Sequence, residues 1–390
     1  MKTYIPVLLS LVISSLACNT QNTQFDPDEV LQRAEIQLEK SLEWFGDTLQ
    51  SPRNMENGVV RLVPSSDWCS GFYPGMLWMM YEYTNDPQWK EAAHKFSMNL
   101  EREKFNDRTH DMGFKLYNSL GNGYRLTGDV LYREILVQAS NTLIKRFNPT
   151  VGSIRSWDFN KDVWEYPVII DNMMNLELLF WATGETGDSI YYKIAVSHAD
   201  NSMRDHFRPD NSSYHVISYD TLSGEVEKRE THQGYSNESA WARGQAWGLY
   251  GYTMTYRETG KKRYLEQARR IAGYLLNHPA LPEDKIPLWD YDAPGQPDIP
   301  RDASAAAITA SALFELSTYV DAEKEAYILT ANQILRSLAS DAYWIQGDHP
   351  FPFLLDHSTG NMNSDSEVDC PIIYADYYFI EALIRSRNLR

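Results

Sequence analysis

Long apolar segments alternate along the chain with charged, one-faced ones, and a short junction recurs between them. It reads Thr84-Asn85-Asp86-Pro87-Gln88-Trp89, Thr127-Gly128-Asp129-Val130-Leu131-Tyr132, Thr186-Gly187-Asp188-Ser189-Ile190-Tyr191 and Thr259-Gly260-Lys261-Lys262-Arg263-Tyr264, with a looser copy over 320–327. In each, Gly or Asn suits the left-handed end of one helix, and the polar residue after it suits the start of the next. These junctions predict tight helical corners. The segments before them, such as 168–182 and 303–316, are apolar on nearly every side, whereas those after them, such as 88–104 and 263–276, are amphipathic. Inner helices therefore alternate with outer ones.

Five corners give five helical pairs. The apolar segment 372–383 can pair with the amphipathic stretch 28–49 as a sixth, which closes the series into a ring. The pattern predicts an all-α (α/α)6 barrel, a six-hairpin toroid, formed by a single catalytic domain over 26–390 that no Pro/Gly/Ser-rich linker interrupts. An open solenoid is the competing arrangement. Unequal repeat lengths, the lack of polar capping repeats and one terminal helix of each kind at the two ends favour closure.

The N-terminus departs from this pattern. Lys2 precedes an apolar run over 5–13, too short to span a bilayer, and then Ser15-Leu16-Ala17-Cys18, which predicts an export signal over 1–17. Two readings stay open: Leu16-Ala17-Cys18 is a lipobox, with a lipid on Cys18 and residues 18–25 as a polar tether, or Ser15-Leu16-Ala17 is an ordinary cleavage site. The expected location is the periplasm, or the outer membrane for a lipoprotein. Only Cys69 and Cys370 remain, so neither a disulfide framework nor a Cys-rich zinc site is available. The formal net charge of −17 argues against nucleic acid or another long polyanion as partner, although a short anionic end could enter a locally basic pocket.

Near the start of each inner segment lies a cluster that packing does not require. These are Asp67-Trp68-Cys69-Ser70-Gly71-Phe72, His110-Asp111-Met112-Gly113-Phe114, Asp171-Asn172, Trp241-Ala242-Arg243-Gly244-Gln245, Arg301-Asp302 and Asp369-Cys370-Pro371. In a ring of parallel inner helices all six face one mouth, where helix N-termini favour an anion. Asp171, set in an apolar run after Pro167, is expected in a first helical turn, where it either caps the helix or faces a cavity. Burial raises its pKa and a helix N-terminus lowers it. His110-Asp111 on its own reads as an ordinary turn pair with Asp111 as an N-cap. A metal-dependent phosphohydrolase would need further His ligands, but His94, His198 and His278 fall in outer or loop segments, so neither a metal nor a cofactor is assigned. Arg243 needs an anion, either a structural Asp or a substrate carboxylate. Trp157, Trp241 and Trp247 fill core or stack on sugar rings.

Taken in order, Trp68 to Gly75, His110 to Phe114, Ile169 to Leu176, Gln233-Gly234-Tyr235-Ser236, Trp241 to Trp247, Pro300 to Ala305 and Glu367 to Tyr374 resemble the unsaturated glucuronyl hydrolases, glycoside hydrolase family 88, over nearly the whole mature chain. The resemblance implies a six-hairpin barrel and a substrate made by polysaccharide lyases, whose terminal uronic acid carries a C4=C5 enol ether. It implies Asp171 as general acid and base, donating a proton to C4 and then activating water toward C5, with Asp111 as the second carboxylate. This departs from glycosidases in which cationic character develops at C1. By the same match His215, Thr231, Gln233, Trp241, Arg243 and Trp247 contact the terminal sugar, Trp157 offers a stacking surface, and Trp68 and His110 complete the binding set. Within Ser358-Thr359-Gly360-Asn361-Met362-Asn363, Asn361 and Asn363 stand where some relatives carry the Ser and Lys of a sulfate-binding Ser-x-x-Ser-x-Lys, which argues against a preference for 6-sulfated chondroitin fragments. The competing readings are a six-hairpin glycosidase attacking saturated glycosides at C1 and a non-catalytic glycan-binding lipoprotein.

Overall fold

The computed structural model describes residues 25–295 and 299–390. The predicted export signal, the lipid site at Cys18 and nearly all of the tether lie outside these residues, and none of the described helices is long and apolar enough to cross a membrane.

The order along the chain is α1 (Pro27–Phe45), a hairpin of β1 (Ser51–Glu56) and β2 (Val59–Val63), then α2 (Phe72–Thr84) and α3 (Pro87–Met98). A π-helix over Gly113–Gly121 runs into α4 (Asn122–Thr127), followed by α5 (Val130–Leu143) and the short strands β3 (Phe147–Asn148), β4 (Ser153–Ile154) and β5 (Pro167–Ile169). A 3₁₀ turn over Ile170–Asn175 leads into α6 (Leu176–Thr186) and α7 (Ser189–Asp205). β6 (Val216–Tyr219) and β7 (Val226–Glu230) precede α8 (Ala242–Thr259), α9 (Lys262–Asn277), α10 (Ala303–Ser317), α11 (Lys324–Leu338) and α12 (Ile373–Asn388).

Helices α2, α4 with its π-helical lead, α6, α8, α10 and α12 pack side by side, and α12 returns to α2, closing an (α/α)6 barrel. Helices α3, α5, α7, α9 and α11 lie outside, and α1 completes the outer layer against α12. The corners form as their residues require. Asn85, Gly128, Gly187 and Gly260 take the left-handed conformation, and Asp86, Asp129 and Asp188 cap the next helix through their carboxylates. The leading Thr of each corner adds a second clamp. Its hydroxyl donates to a carbonyl four residues back and accepts the amide two residues ahead, in the same way at Thr84, Thr127, Thr186 and Thr259.

One expected boundary is wrong. Pro167 does not open a helix, because Val168 and Ile169, both β-branched, extend as β5 and pair with β6, leaving Ile169 at φ −106° and ψ 154°. The inner helix proper starts only at Leu176. Asp171 does lie in a first helical turn, that of the 3₁₀ segment leading into α6, and its side chain makes no capping hydrogen bond.

Candidate active site

A cleft of about 750 Å³ opens at the barrel end where the inner helices begin. Trp68, His110, Asp111, Trp157, Asp171, Gln233 and Arg243 line it, together with Arg53, Arg108, Phe114, Phe159, His232, Asn361, Glu367 and Tyr374. Of the six clusters expected at the mouth, four reach this cleft. Asp302 lies behind it as the partner of Arg243, Arg301 turns to the Ile286 carbonyl, and Asp369 pairs with His357 beside another recess. Asp369 has a left-handed φ of 51° and lines that recess rather than the cleft.

The two carboxylates are tuned in opposite directions. Burial is the largest influence on Asp171 and pushes its pKa up to about 6, against the pull of Arg243 and His110 and with help from Asp111. Its Oδ2 has no protein hydrogen-bond partner and stands 3.7 Å from His215 Nε2. Burial also opposes the charge on Asp111, but His110 Nε2 at 3.1 Å, the Thr109 hydroxyl at 2.5 Å and nearby Lys115 outweigh it, holding Asp111 below the ordinary carboxylate range. These bonds replace the expected helix cap, since Met112 precedes the π-helix. Two acids with separated pKa values in one cleft provide a proton donor and a fixed anion.

His215 is built to donate. Its Nδ1 accepts the backbone N–H groups of His232 and Gln233, each at 3.1 Å, and burial drives its pKa well down, so the neutral ring carries its proton on Nε2, facing Asp171. Arg243 serves the protein first. It meets Asp302 at 3.2 Å and donates to the carbonyls of Thr359 at 2.5 Å and Gly360 at 2.6 Å, pinning the loop before α12 to α8. Gln233 Nε2 reaches the same Gly360 carbonyl. Both the structural-partner reading and a place in the cleft hold for Arg243.

Four expected sugar contacts do not line the cleft. Trp247 is fully buried between Phe114 and Tyr378, and Trp241 packs on His215 and beneath the Arg243 guanidinium. Thr231 Oγ1 accepts the Gly234 amide, which fixes a turn, and the His215 side chain is wholly covered. They form the backing of the wall rather than its face, because the residues that do face the cleft need rigid support. Trp157 is on the face, stacked with Phe159 at 4.7 Å and 18°.

Arg53, Glu367, Tyr374 and Arg108 belong to the lining without having been singled out from sequence. Arg53 lies in a hairpin with no helical period and grips Glu367, 314 residues away, which no local pattern reveals. Glu367 and Tyr374 fall in a stretch where Asp369 drew attention instead. The expectation of a locally basic pocket also needs correction: three arginines face the four carboxylates Asp111, Asp158, Asp171 and Glu367. Protonating Asp171 balances the lining, and an incoming anion favours that state.

No protein-family model matches the chain. Whole-chain comparison is decisive instead: an unsaturated glucuronyl hydrolase of Formosa agariphila is 48% identical, over 99% of this chain and 98% of its own. The chain belongs to the unsaturated glucuronyl hydrolases, glycoside hydrolase family 88. A crystal structure of an unsaturated glucuronyl hydrolase specific for heparin superposes with a TM-score of 0.89 at 48% identity, covering 93% of this chain and 98% of that one. An Asp-to-Asn variant of the Streptococcus agalactiae enzyme, in complex with dGlcA-GalNAc6S, gives a TM-score of 0.79 at 33% identity, covering 92% of this chain and 90% of that one. The enzyme is therefore a glycoside hydrolase, an unsaturated glucuronyl hydrolase that removes an unsaturated uronic acid from its substrate. Among the described residues no group of three or more His, Cys, Asp or Glu is placed to hold a metal.

Proposed function

We propose that Asp171 performs the reaction by hydrating the C4=C5 bond. Protonated Asp171 gives its hydrogen to C4, leaving positive charge shared by C5 and the ring oxygen. A water then adds at C5 and returns a proton to the Asp171 carboxylate. The resulting hemiketal opens by breaking the bond between C5 and the ring oxygen, and the hemiacetal so formed at C1 sheds the neighbouring sugar. The observation that carries this reading is the buried carboxyl oxygen of Asp171, unpartnered and beside a neutral His215 N–H, in a cleft whose other central acid stays ionised.

The substrate carboxylate completes the tuning. Its negative charge in a cleft already balanced by a neutral Asp171 raises the Asp171 pKa further, so binding loads the acid it needs. Asp111 contributes in the same direction, while His215 Nε2–H orients the carboxylate that forms after transfer. Turnover in deuterated, oxygen-18 water tests the scheme. Deuterium at C4 and solvent oxygen at C5 are expected, whereas solvent oxygen at C1 would replace it with direct attack on the glycosidic carbon.

The substrate class we infer is the unsaturated glycosaminoglycan fragments. The heparin specificity of one relative and the sulfated aminosugar bound by another support it. We further propose that the enzyme is exported, with a lipid on Cys18 as its anchor. Phe25 and Asp26 meet Arg390 at the C-terminal end of α12, the barrel end away from the cleft, so such an anchor leaves the mouth open. Radiolabelled palmitate on the wild type but not on Cys18→Ser checks this.

A further inference from the structure

Among the three arginines that line the cleft, two have carboxylates within hydrogen-bond distance. Arg53 donates to Glu367 at 2.5 and 3.0 Å and to Asp67 at 2.8 Å, and Arg243 is held by Asp302. Arg108 is different. It is exposed, and among the described residues no acidic group lies within 4.0 Å of its guanidinium. Its backbone is anchored, because the Arg108 amide donates to Asn106 Oδ1 at 3.2 Å and the next residue, Thr109, binds Asp111. A fixed main chain thus presents a free cation to the cleft that the stacked Trp157–Phe159 pair also lines.

Another wall of the cleft has no such group. Its lining from the loop before α12 consists of Asn361, Ser364, Ser366 and the already paired Glu367. Asn363 donates its amide to the carbonyls of His232 and Gly234 at 3.2 and 2.7 Å and stands outside the lining. Charge recognition of the second sugar has nothing to use on that side.

We propose that Arg108 reads an anionic substituent, a sulfate ester or N-sulfate, on the saccharide next to the unsaturated uronic acid. This rests on the hydrolase reading of the same cleft. A guanidinium matches the trigonal face of a sulfate with parallel hydrogen bonds, and the aromatic pair lining the same cleft supports the ring that carries the sulfate.

The test compares matched unsaturated disaccharides that differ only in one sulfate, using wild type and Arg108→Gln. The side chain is exposed, so the fold is unaffected. The expected result is a loss of about tenfold in kcat/KM on the preferred sulfated substrate, through KM, and a clearly smaller loss on the unsulfated one, so that the preference collapses. Raising ionic strength should erase the wild-type preference and leave the variant unaffected. Equal losses on both substrates, no loss on either, or a wild type that prefers the unsulfated partner each overturn the assignment. Failure of the wild type on every unsaturated disaccharide would instead overturn the hydrolase reading beneath it.

Discussion

The barrel has a cavity at each end, and each contains a buried acid from the same stretch of chain. At the mouth Asp171 is raised to about 6, and at the far end Glu177 is raised to about 7, both mainly by burial. The far cavity measures about 550 Å³ and is lined by Tyr117, Trp181, Tyr250, Arg257, Tyr377 and Glu381 among others. By volume, aromatic content and perturbed acidity it resembles an active site as well as the cleft does. The difference is how far each acid is satisfied: Asn118 Nδ2 in the far cavity also lacks a partner, but the carboxylates there are held. Glu177 bonds Arg257, which also holds Glu258 and Glu315, and Glu381 bonds Tyr250 and Ser311. At the mouth Asp171 Oδ2, His215 Nε2, His110 Nδ1 and Trp157 Nε1 have no protein partner. A shifted pKa marks a buried charge, whereas an unpartnered buried carboxyl oxygen beside an open cleft marks where something else is meant to bind.

The strongest way to break this comparison is to remove each acid's charge in turn. Asp171→Asn should lower kcat by about 10²–10⁴-fold, the range for general acid–base groups, with circular dichroism unchanged. Glu177→Gln, despite a similar pKa shift, should leave kcat within about twofold because its carboxylate is held by Arg257. Loss of the ultraviolet absorbance of the C4=C5 bond in an unsaturated disaccharide reads both. Comparable losses from the two variants would end the distinction.

A smaller effect sharpens it through backbone rather than charge. A Cβ at Gly113 would lie 2.7 Å from Asn175 Cα and 2.9 Å from Asn175 Oδ1, on the contact that holds the Asp111 segment against the turn bearing Asp171. Gly113→Ala should therefore separate the two acids, costing about 1–3 kcal/mol in urea denaturation and roughly tenfold in kcat/KM. Gly184, exposed on α6 with open space where a Cβ would stand, provides the control. Gly184→Ala should leave activity unchanged and add up to about 1 kcal/mol through helix propensity.

The same contrast explains how far the sequence can be read. The ring was legible because four corners are local devices, completed within six residues by Thr and a left-handed Gly or Asn, three of them with an Asp cap, which left only the looser 320–327 corner to be read by analogy. Asp171 was legible as a carboxylate among apolar neighbours. The start of its helix was not, because β5 forms only by pairing with β6, some fifty positions later, and a Pro followed by branched residues suits either state. Arg53 with Glu367, and Arg243 with the Thr359 and Gly360 carbonyls, join segments far apart in the chain. Their side chains carry no periodic signal. Which tryptophans face the cleft was equally hidden, since Trp157 lies in an irregular segment, while Trp247 lies on an inner helix and turns into the core.

The mildest test asks whether the Asp171 carboxylate is costly when ionised. Its pKa is raised in the folded state, from an ordinary value of 3.8 to about 6. Below pH 3.8 it is neutral folded or unfolded and contributes nothing. Between 3.8 and 6 the unfolded chain ionises first, so stability falls as pH rises through the folded pKa, and above it the full cost remains, at most about 3 kcal/mol for a shift of this size. Asn cannot ionise, so Asp171→Asn should melt higher than wild type at about pH 8, with the gain shrinking toward about pH 4. Glu177→Gln gains the same kind of relief but gives up the Arg257 bond, and should shift less. The rate obeys the same acid in the opposite role: kcat/KM should decline as pH rises past about 6, because the proton Asp171 donates is then lost to solvent before substrate arrives. A melting gain in alkaline buffer together with that decline would show one group both weakening the fold and driving the reaction. A variant no more stable than wild type at any pH would mean that the cleft hydrates Asp171 well enough to keep it an ordinary carboxylate.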